Sequence, residues 1–322
     1  MIRYETLRRH PAAFRSLTGH SKDDFDALFS QFHSAHRRRR HDARAIGRTR
    51  AGGAGRPAVC ALEDQLLLTL VWLRVYPTFA LLGFFFGLHE SNAWRTVQQG
   101  LTTLETLADF AFERPAKERK ALGSAQAVMD AFPDVALVID AKEQRIRRPK
   151  SDKDNDRQKP FYSGKKKAHT LKNQIAVEPD GTIGALSASV PGGANHDLTL
   201  LRASRLLDNL GEGEAGMLDK GYDGITKDYP DTPLYLPHKA RRNHPLTAEQ
   251  RAYNRHLASY RIVVEHTNAQ LNQFQSLSQV WRSRPARHGR AIRVVGVLVN
   301  RRIAQRPLKR YGSLQNLAAV AA

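Results

Sequence analysis

Between Leu62 and Leu107 apolar residues recur at helical spacing. Leu62, Leu66, Thr69, Leu70 and Leu73 fall on one face. Pro77 ends that helix after Tyr76. Thr78 is placed to cap a short helix through Leu88, and Ser91 to cap another from Asn92 onward. A short helix, a tight turn at His89-Glu90-Ser91 and a second helix make the helix-turn-helix plan. On that plan Asn92, Arg95, Thr96, Gln98 and Gln99 project from the second helix. Arg, Asn and Gln are the side chains that read base edges in the major groove. An ordinary three-helix domain with a polar face shares this periodicity.

The pattern changes near Pro133. Val135-Ala-Leu-Val-Ile139 is a short apolar run ended by Asp140 and reads as a buried strand. Lys165 to Val177 predicts a second strand, turning at Pro179-Asp180-Gly181 into a third, Thr182 to Val190. Pro191-Gly-Gly193 stops it. Asp197 to Leu210 is amphipathic and helical. Ala215-Gly-Met-Leu218 is a fourth strand ending at Asp219, and Leu234-Tyr-Leu236 a fifth. Thr247-Ala-Glu-Gln250 matches a capping box and opens a long helix to about Leu277. Three strands in a meander, then helix, strand, strand and helix, is the order of a ribonuclease-H-like mixed α/β sheet with flanking helices. Neither a GxGxxG nor a P-loop signature is present.

Charge narrows the partner. Lys and Arg total 51 against 31 Asp and Glu, a formal net charge of +20. Such an excess points to a polyanion, most commonly nucleic acid, though a basic protein without chemistry would share it. Residues 1–56 carry the run Arg37 to Arg40, then Arg44, Arg48, Arg50 and Arg56, and the Gly-rich stretch 50–56 reads as a linker. The expected organisation is a basic N-terminal arm and linker (1–56), a helix-turn-helix domain (57–125), a catalytic sheet domain (130–304) and a C-terminal tail (305–322). The lone Cys60 excludes an internal disulfide framework and a cysteine-rich zinc site. No apolar run is long enough for a membrane span, so the chain is expected to be soluble and cytoplasmic.

Two acids follow apolar runs, Asp140 and Asp219, and would emerge at the ends of central strands. The long helix adds Glu265. There Tyr260, Val264, Thr267, Leu271 and Phe274 form the packed stripe. Arg261, Glu265, Asn268 and Asn272 form a separate polar row able to face those strand ends. In-line phosphodiester cleavage needs an activated water and a stabilised leaving oxygen. Two hard cations about 3.5–4 Å apart supply both, and they prefer oxygen ligands. Each acid also has a plain structural reading, as a turn cap or a surface partner of Arg261. Glu265 is the last acid in the chain, followed by ten Lys and Arg residues, a segment suited to a phosphate backbone.

Asp197 rivals Asp219 as second acid, but it begins a helix and reads better as an N-cap. Lys165, Lys166, Lys167 and Lys172 are candidate phosphate contacts, with a solvated strand face as the alternative. His169 and His196 are candidates to line the site. His238-Lys-Ala-Arg241, with Tyr253 or Tyr260, nominally fits a tyrosine recombinase, but that chemistry belongs to a mainly helical domain.

Several segments resemble one family. Tyr162-Ser-Gly-Lys-Lys-Lys-Ala-His-Thr-Leu-Lys172 is similar to the strand-two signature of bacterial insertion-sequence transposases of the insertion-sequence-five group, related to eukaryotic Harbinger transposases. Pro191-Gly-Gly-Ala-Asn-His-Asp197, Leu218-Asp-Lys-Gly-Tyr222 and Arg261-Ile-Val-Val-Glu-His266 resemble its later motifs, and Thr78 to Gln99 its helix-turn-helix. The resemblance spans roughly residues 60 to 300. It implies that Asp140, Asp219 and Glu265 form a DDE metal triad for two Mg²⁺ or Mn²⁺ ions, with Asp140 bridging them. The candidate DNA contacts are Asn92, Arg95, Gln98, Gln99, Lys165, Lys166, Lys167, His169, Lys172 and Arg261. The implied substrates are double-stranded terminal inverted repeats and target DNA, joined through 3′-OH ends in a homo-oligomeric synaptic complex. Two departures stand out. The first motif reads Asp140-Ala-Lys-Glu143 where the family often has Asp-x-Thr-Glu. Ala258 and Asn272 replace a Tyr and a Lys around Arg261 and Glu265. A catalytically decayed, DNA-binding descendant is the alternative reading.

Overall fold

The computed structural model describes residues 1–45, 60–108, 134–150 and 157–305. The chain divides into two compact units. One comprises residues 1–109 with 271–298, the other residues 110–270 with 299–322. Residues 271–298 thus group with the N-terminal unit, where a single block 130–304 was expected.

The first unit is helical: α1 (Tyr4–Leu7), α2 (Pro11–Thr18), α3 (Lys22–Ala45), α4 (Leu62–Val75), α5 (Phe79–Phe86) and α6 (Glu90–Glu105). α4 lies at its centre. Every residue from Leu66 to Leu73 is buried, so the helix is packed all round and not only on its predicted face. The N-terminal residues are not an arm as far as Ala45. Phe25, Leu28, Phe32 and Ala35 recur at 3-4-3 spacing along α3 and are all buried. Tyr4 stacks on Phe25, ring centroids 4.9 Å apart. The expected linker, residues 50–56, lies outside the described residues.

α4 stops at Tyr76, whose backbone is left-handed (φ 54°), just before Pro77. Thr78 caps α5, its Oγ1 accepting from the Leu81 N–H. α6 begins at Glu90 rather than Asn92. The cap is His89, whose Nδ1 accepts from the Ser91 N–H, so Ser91 sits inside the first turn. Gly100 allows α6 to approach α4 closely, because a Cβ there would collide with the Thr69 side chain. Glu105, at the end of α6, pairs with Arg290 at 2.6 Å and with Arg293.

The second unit is built on a seven-stranded mixed sheet. Its strands are β1 (Val135–Arg145), β2 (Tyr162–Ser163), β3 (Ala168–Val177), β4 (Ile183–Leu186), β5 (Val190–Pro191), β6 (Ala215–Met217) and β7 (Leu234–Tyr235). The order is β2-β3-β1-β6-β7, with β4 and β5 also on β3. β1 and β3 are antiparallel, while β1-β6 and β6-β7 are parallel. This sheet-centred domain removes the setting a tyrosine recombinase needs, and Tyr260 is buried. The β3–β4 hairpin turns as predicted, with Gly181 at φ 88°. One sheet face carries Leu137, Ile139 and Ala176 and packs on α7 (Asp197–Ser204) through Leu201. α8 (Ala248–Asn272) crosses the hairpin side of the unit, where Thr267 donates to the Gly181 carbonyl at 2.8 Å. The Thr247–Gln250 capping box forms reciprocally, both bonds at 3.1 Å. α8 ends at Asn272, not Leu277, and a short α9 (Gln275–Ser278) and α10 (His288–Ala304) follow. No helix among the described residues is long and apolar enough to cross a membrane.

Candidate functional site

Asp140 is not at a strand end. β1 runs on to Arg145 because residues 138–145 pair one by one with β3. What ends near Asp140 is the other neighbour. β6 pairs with β1 only as far as Val138↔Met217. Asp140 and Asp219 each stand two residues beyond that last pair, Asp140 within β1 and Asp219 just past the end of β6, which runs parallel to β1. That shared offset brings them to one level of the sheet.

Arg261 on α8 joins them. Its guanidinium lies 3.7 Å from Asp140 Oδ1 and 3.5 Å from Asp219 Oδ1. Asn268, two turns along the same helix, donates through Nδ2 to Asp140 Oδ2 at 3.2 Å. Glu265 is exposed between these two on the same helix row. Asp219 also caps the following 3-10 turn (Lys220–Tyr222), its Oδ1 accepting from the Lys220 N–H at 2.7 Å.

Burial pushes the Asp140 carboxyl up to about 6. The Ala141 N–H and Arg261 oppose the shift, while the charges of Glu265 and Asp219 add to it. Lys142, on the same strand face, is pushed down to about 8 by burial and by Lys166, against the pull of Asp140. The site is therefore a concentration of partly desolvated negative charge with cations at its edge.

Its donor chemistry fits a hard divalent cation. The carboxylates offer only oxygen, and Asn268 Oδ1 is buried with no hydrogen-bond partner. Among the described residues, however, no group of three His, Cys, Asp or Glu stands close enough to hold an ion. Asp140 and Asp219 meet through Arg261, and Glu265 stays outside that contact.

Other expected contacts fall in different places. Lys172 is not a surface phosphate ligand. It is 6% exposed, and its Nζ meets Glu143 Oε1 at 3.2 Å, Asp197 Oδ1 at 2.9 Å and the Asn195 carbonyl at 2.8 Å. Asp197 is thereby an ion-pair partner and not an N-cap, the cap position being His196. Gln174 donates to the Asp197 carbonyl and to the Tyr222 hydroxyl. A Cβ at Gly221 would sit 3.3 Å from Asp197 Oδ2. The Lys172–Asp197 pair thus abuts the turn that carries Asp219. Sequence reasoning missed this cluster, although Glu143, three residues after Asp140, was visible. Lys165, Lys166 and Lys167 are exposed in the turn before β3, with Lys167 left-handed at φ 46°. His169 packs edge-on against Tyr162, and His196 is exposed. Arg261, expected at DNA, faces the two acids.

On α6, Arg95 and Gln99 are exposed, while Asn92, Thr96 and Gln98 are half-buried. Asn92 Oδ1 accepts from Arg95 at 3.0 Å. Arg95 and Gln99, one turn apart, form the outward polar row of that helix.

A family model for DDE superfamily endonucleases matches residues 139–300, and a model for the helix-turn-helix of the same superfamily matches residues 59–109. The chain is 32% identical over 252 residues to a probable transposase for insertion sequence element IS702 from Microchaete diplosiphon. The match covers 78% of this chain and 84% of that relative. No solved structure matches.

Proposed function

Because the chain belongs to the DDE superfamily of endonucleases and carries that superfamily's helix-turn-helix domain, we propose that it is the transposase of an insertion sequence. In this reading the helix-turn-helix domain binds terminal inverted repeats. The sheet domain, of ribonuclease-H-like plan, cleaves the phosphodiester and joins 3′-OH ends to target DNA in a homo-oligomeric complex. The sequence motifs favour the group related to Harbinger transposases.

The observation that carries the catalytic half is the meeting of Asp140 and Asp219 beyond the end of β6, under the Arg261–Glu265–Asn268 row. Asp140, Asp219 and Glu265 would hold Mg²⁺ or Mn²⁺, two ions in all. Bound there, such ions activate the attacking hydroxyl and offset charge on the leaving oxygen. Arg261 offsets the repulsion between the two aspartates. Lys142, beside Asp140 on β1, supplies positive charge where a phosphate approaches. Arg95 and Gln99, with Asn92 and Gln98 on the same helix, face the major groove. Lys165, Lys166 and Lys167, with His169 nearby, are placed for the backbone.

The test is Asp140→Asn. Cleavage of a labelled duplex carrying the element's end should vanish in Mg²⁺ while binding of that duplex persists. Undiminished cleavage would refute the metal role. The second reading, a decayed DNA-binding descendant, is favoured by Lys142, Ala258 and Asn272 standing where the family pattern has other residues. It expects no cleavage from the unmodified chain either.

A further inference from the structure

α3 lies outside the matched helix-turn-helix region, which begins at residue 59. Its buried stripe is Phe25, Leu28, Phe32 and Ala35, and the next position in that 3-4-3-4 series is Arg39. Arg39 takes the inward place with its guanidinium. It donates to the Gln99 carbonyl at 3.4 Å and to Thr103 Oγ1. The end of α3 is therefore tied to α6 at the level of Gln99, one of the two residues that α6 presents outward.

With Arg39 turned inward, Arg37, Arg38 and Arg40 point away from the unit. All three are exposed and make no hydrogen bond or ion pair within the described residues. No Asp or Glu occurs between residues 27 and 41. Burial first, and then the charges of Arg40, Arg39 and His33, hold His36 below its ordinary value. The helix dipole does not account for the run. It favours cations only in the last turn, and these arginines precede the last turn of a helix that ends at Ala45.

Helices packed side by side have axes about 8–10 Å apart, and the major groove is about 12 Å wide. A helix beside one that enters the groove therefore overlies the groove's rim, where the phosphates are. We propose that Arg37, Arg38 and Arg40 grip the DNA backbone next to the groove that α6 enters, forming a sequence-independent contact surface outside the helix-turn-helix. This rests on the reading of α6 as the groove-entering helix.

The experiment is fluorescence anisotropy of the full chain with a short labelled duplex of random sequence, titrated across KCl concentrations. Each lost phosphate contact flattens the plot of log affinity against log salt by about 0.9. The Arg37→Gln, Arg38→Gln, Arg40→Gln triple variant should flatten it by about 2 to 3 and weaken duplexes of different sequence equally. The corresponding triple Lys variant should keep the original slope, and both should keep the original thermal midpoint. A Gln variant with the original slope, or one weakened on a single sequence only, overturns the inference and leaves the groove reading standing. Absence of salt-dependent duplex binding by the unmodified chain would overturn both.

Discussion

Replacing Lys172 by methionine would leave the buried Glu143 carboxylate and the half-buried Asp197 carboxylate without their shared cation. The side chains of Lys172 and Glu143 are each 8% exposed and that of Asp197 26%, so water reaches the cluster poorly. Thr170 donates to Glu143 at 3.2 Å, but among the described residues no other cation is paired with the two carboxylates. Removing one partner of a buried ion pair costs about 3–5 kcal/mol. For a unit of this size each kcal/mol lowers the melting point by about 2–4 °C, so the variant should melt about 6–20 °C lower. Differential scanning calorimetry of the purified chain reads this directly. Adding Glu143→Gln and Asp197→Asn to the methionine variant should recover much of the loss, since neither neutral amide leaves a buried charge. A surface lysine that binds phosphate would behave in the opposite way, lowering DNA affinity and leaving the melting point alone. A methionine variant melting within about 2 °C of the original would refute the buried-cluster argument.

Three further outcomes follow from Asp140 and Gly100. Asp140 must lose its proton to bind a cation, so Mn²⁺ affinity measured by calorimetry should fall about tenfold per pH unit below about 6. Its carboxyl is raised in the folded state, so the metal-free protein binds more protons than the unfolded chain between about 4 and about 6. The Asp140 contribution to stability should therefore decline as pH rises through that window. A flat Mn²⁺ affinity from pH 5 to 8 would count against Asp140 as a ligand. Gly100→Ala should destabilise the helical unit by about 1–3 kcal/mol through its clash with Thr69. Thr69→Ala, which removes both the hydroxyl and the methyl at that crossing, should relieve part of the loss in thermal melts.

Much of this was legible wherever a signal was local. Thr78 capped its helix and the Thr247–Gln250 box closed, because caps depend on residues three apart. The run ending at Asp140 concealed the true length of β1. Ala141 to Arg145 is polar and joins the sheet only through pairing with β3, a contact that periodicity does not record. α3 was hidden differently, since four consecutive arginines drew attention away from a buried stripe at regular helical spacing. Lys172 looked like its neighbours Lys165 to Lys167 because burial of a lysine depends on which acids the fold brings to it. Of the site, the sequence singled out Asp140, Asp219 and Glu265. It did not show that Arg261 and Asn268 would be the residues touching Asp140.

The Val138↔Met217 register has a consequence for how such chains tolerate change in length. Successive side chains on a strand point to opposite faces, so a shift of one residue turns a whole set over. Deleting Leu218, between Met217 and Asp219, would turn Asp219 away from Asp140 while leaving the β1–β6 pairs in place, whereas deleting Ile139 would also shift residues 140–145 against β3. The loops between β1 and β6 are under no such count. Insertions there lengthen the path between the two acids without altering where either one emerges, so these loops are where length variation can accumulate.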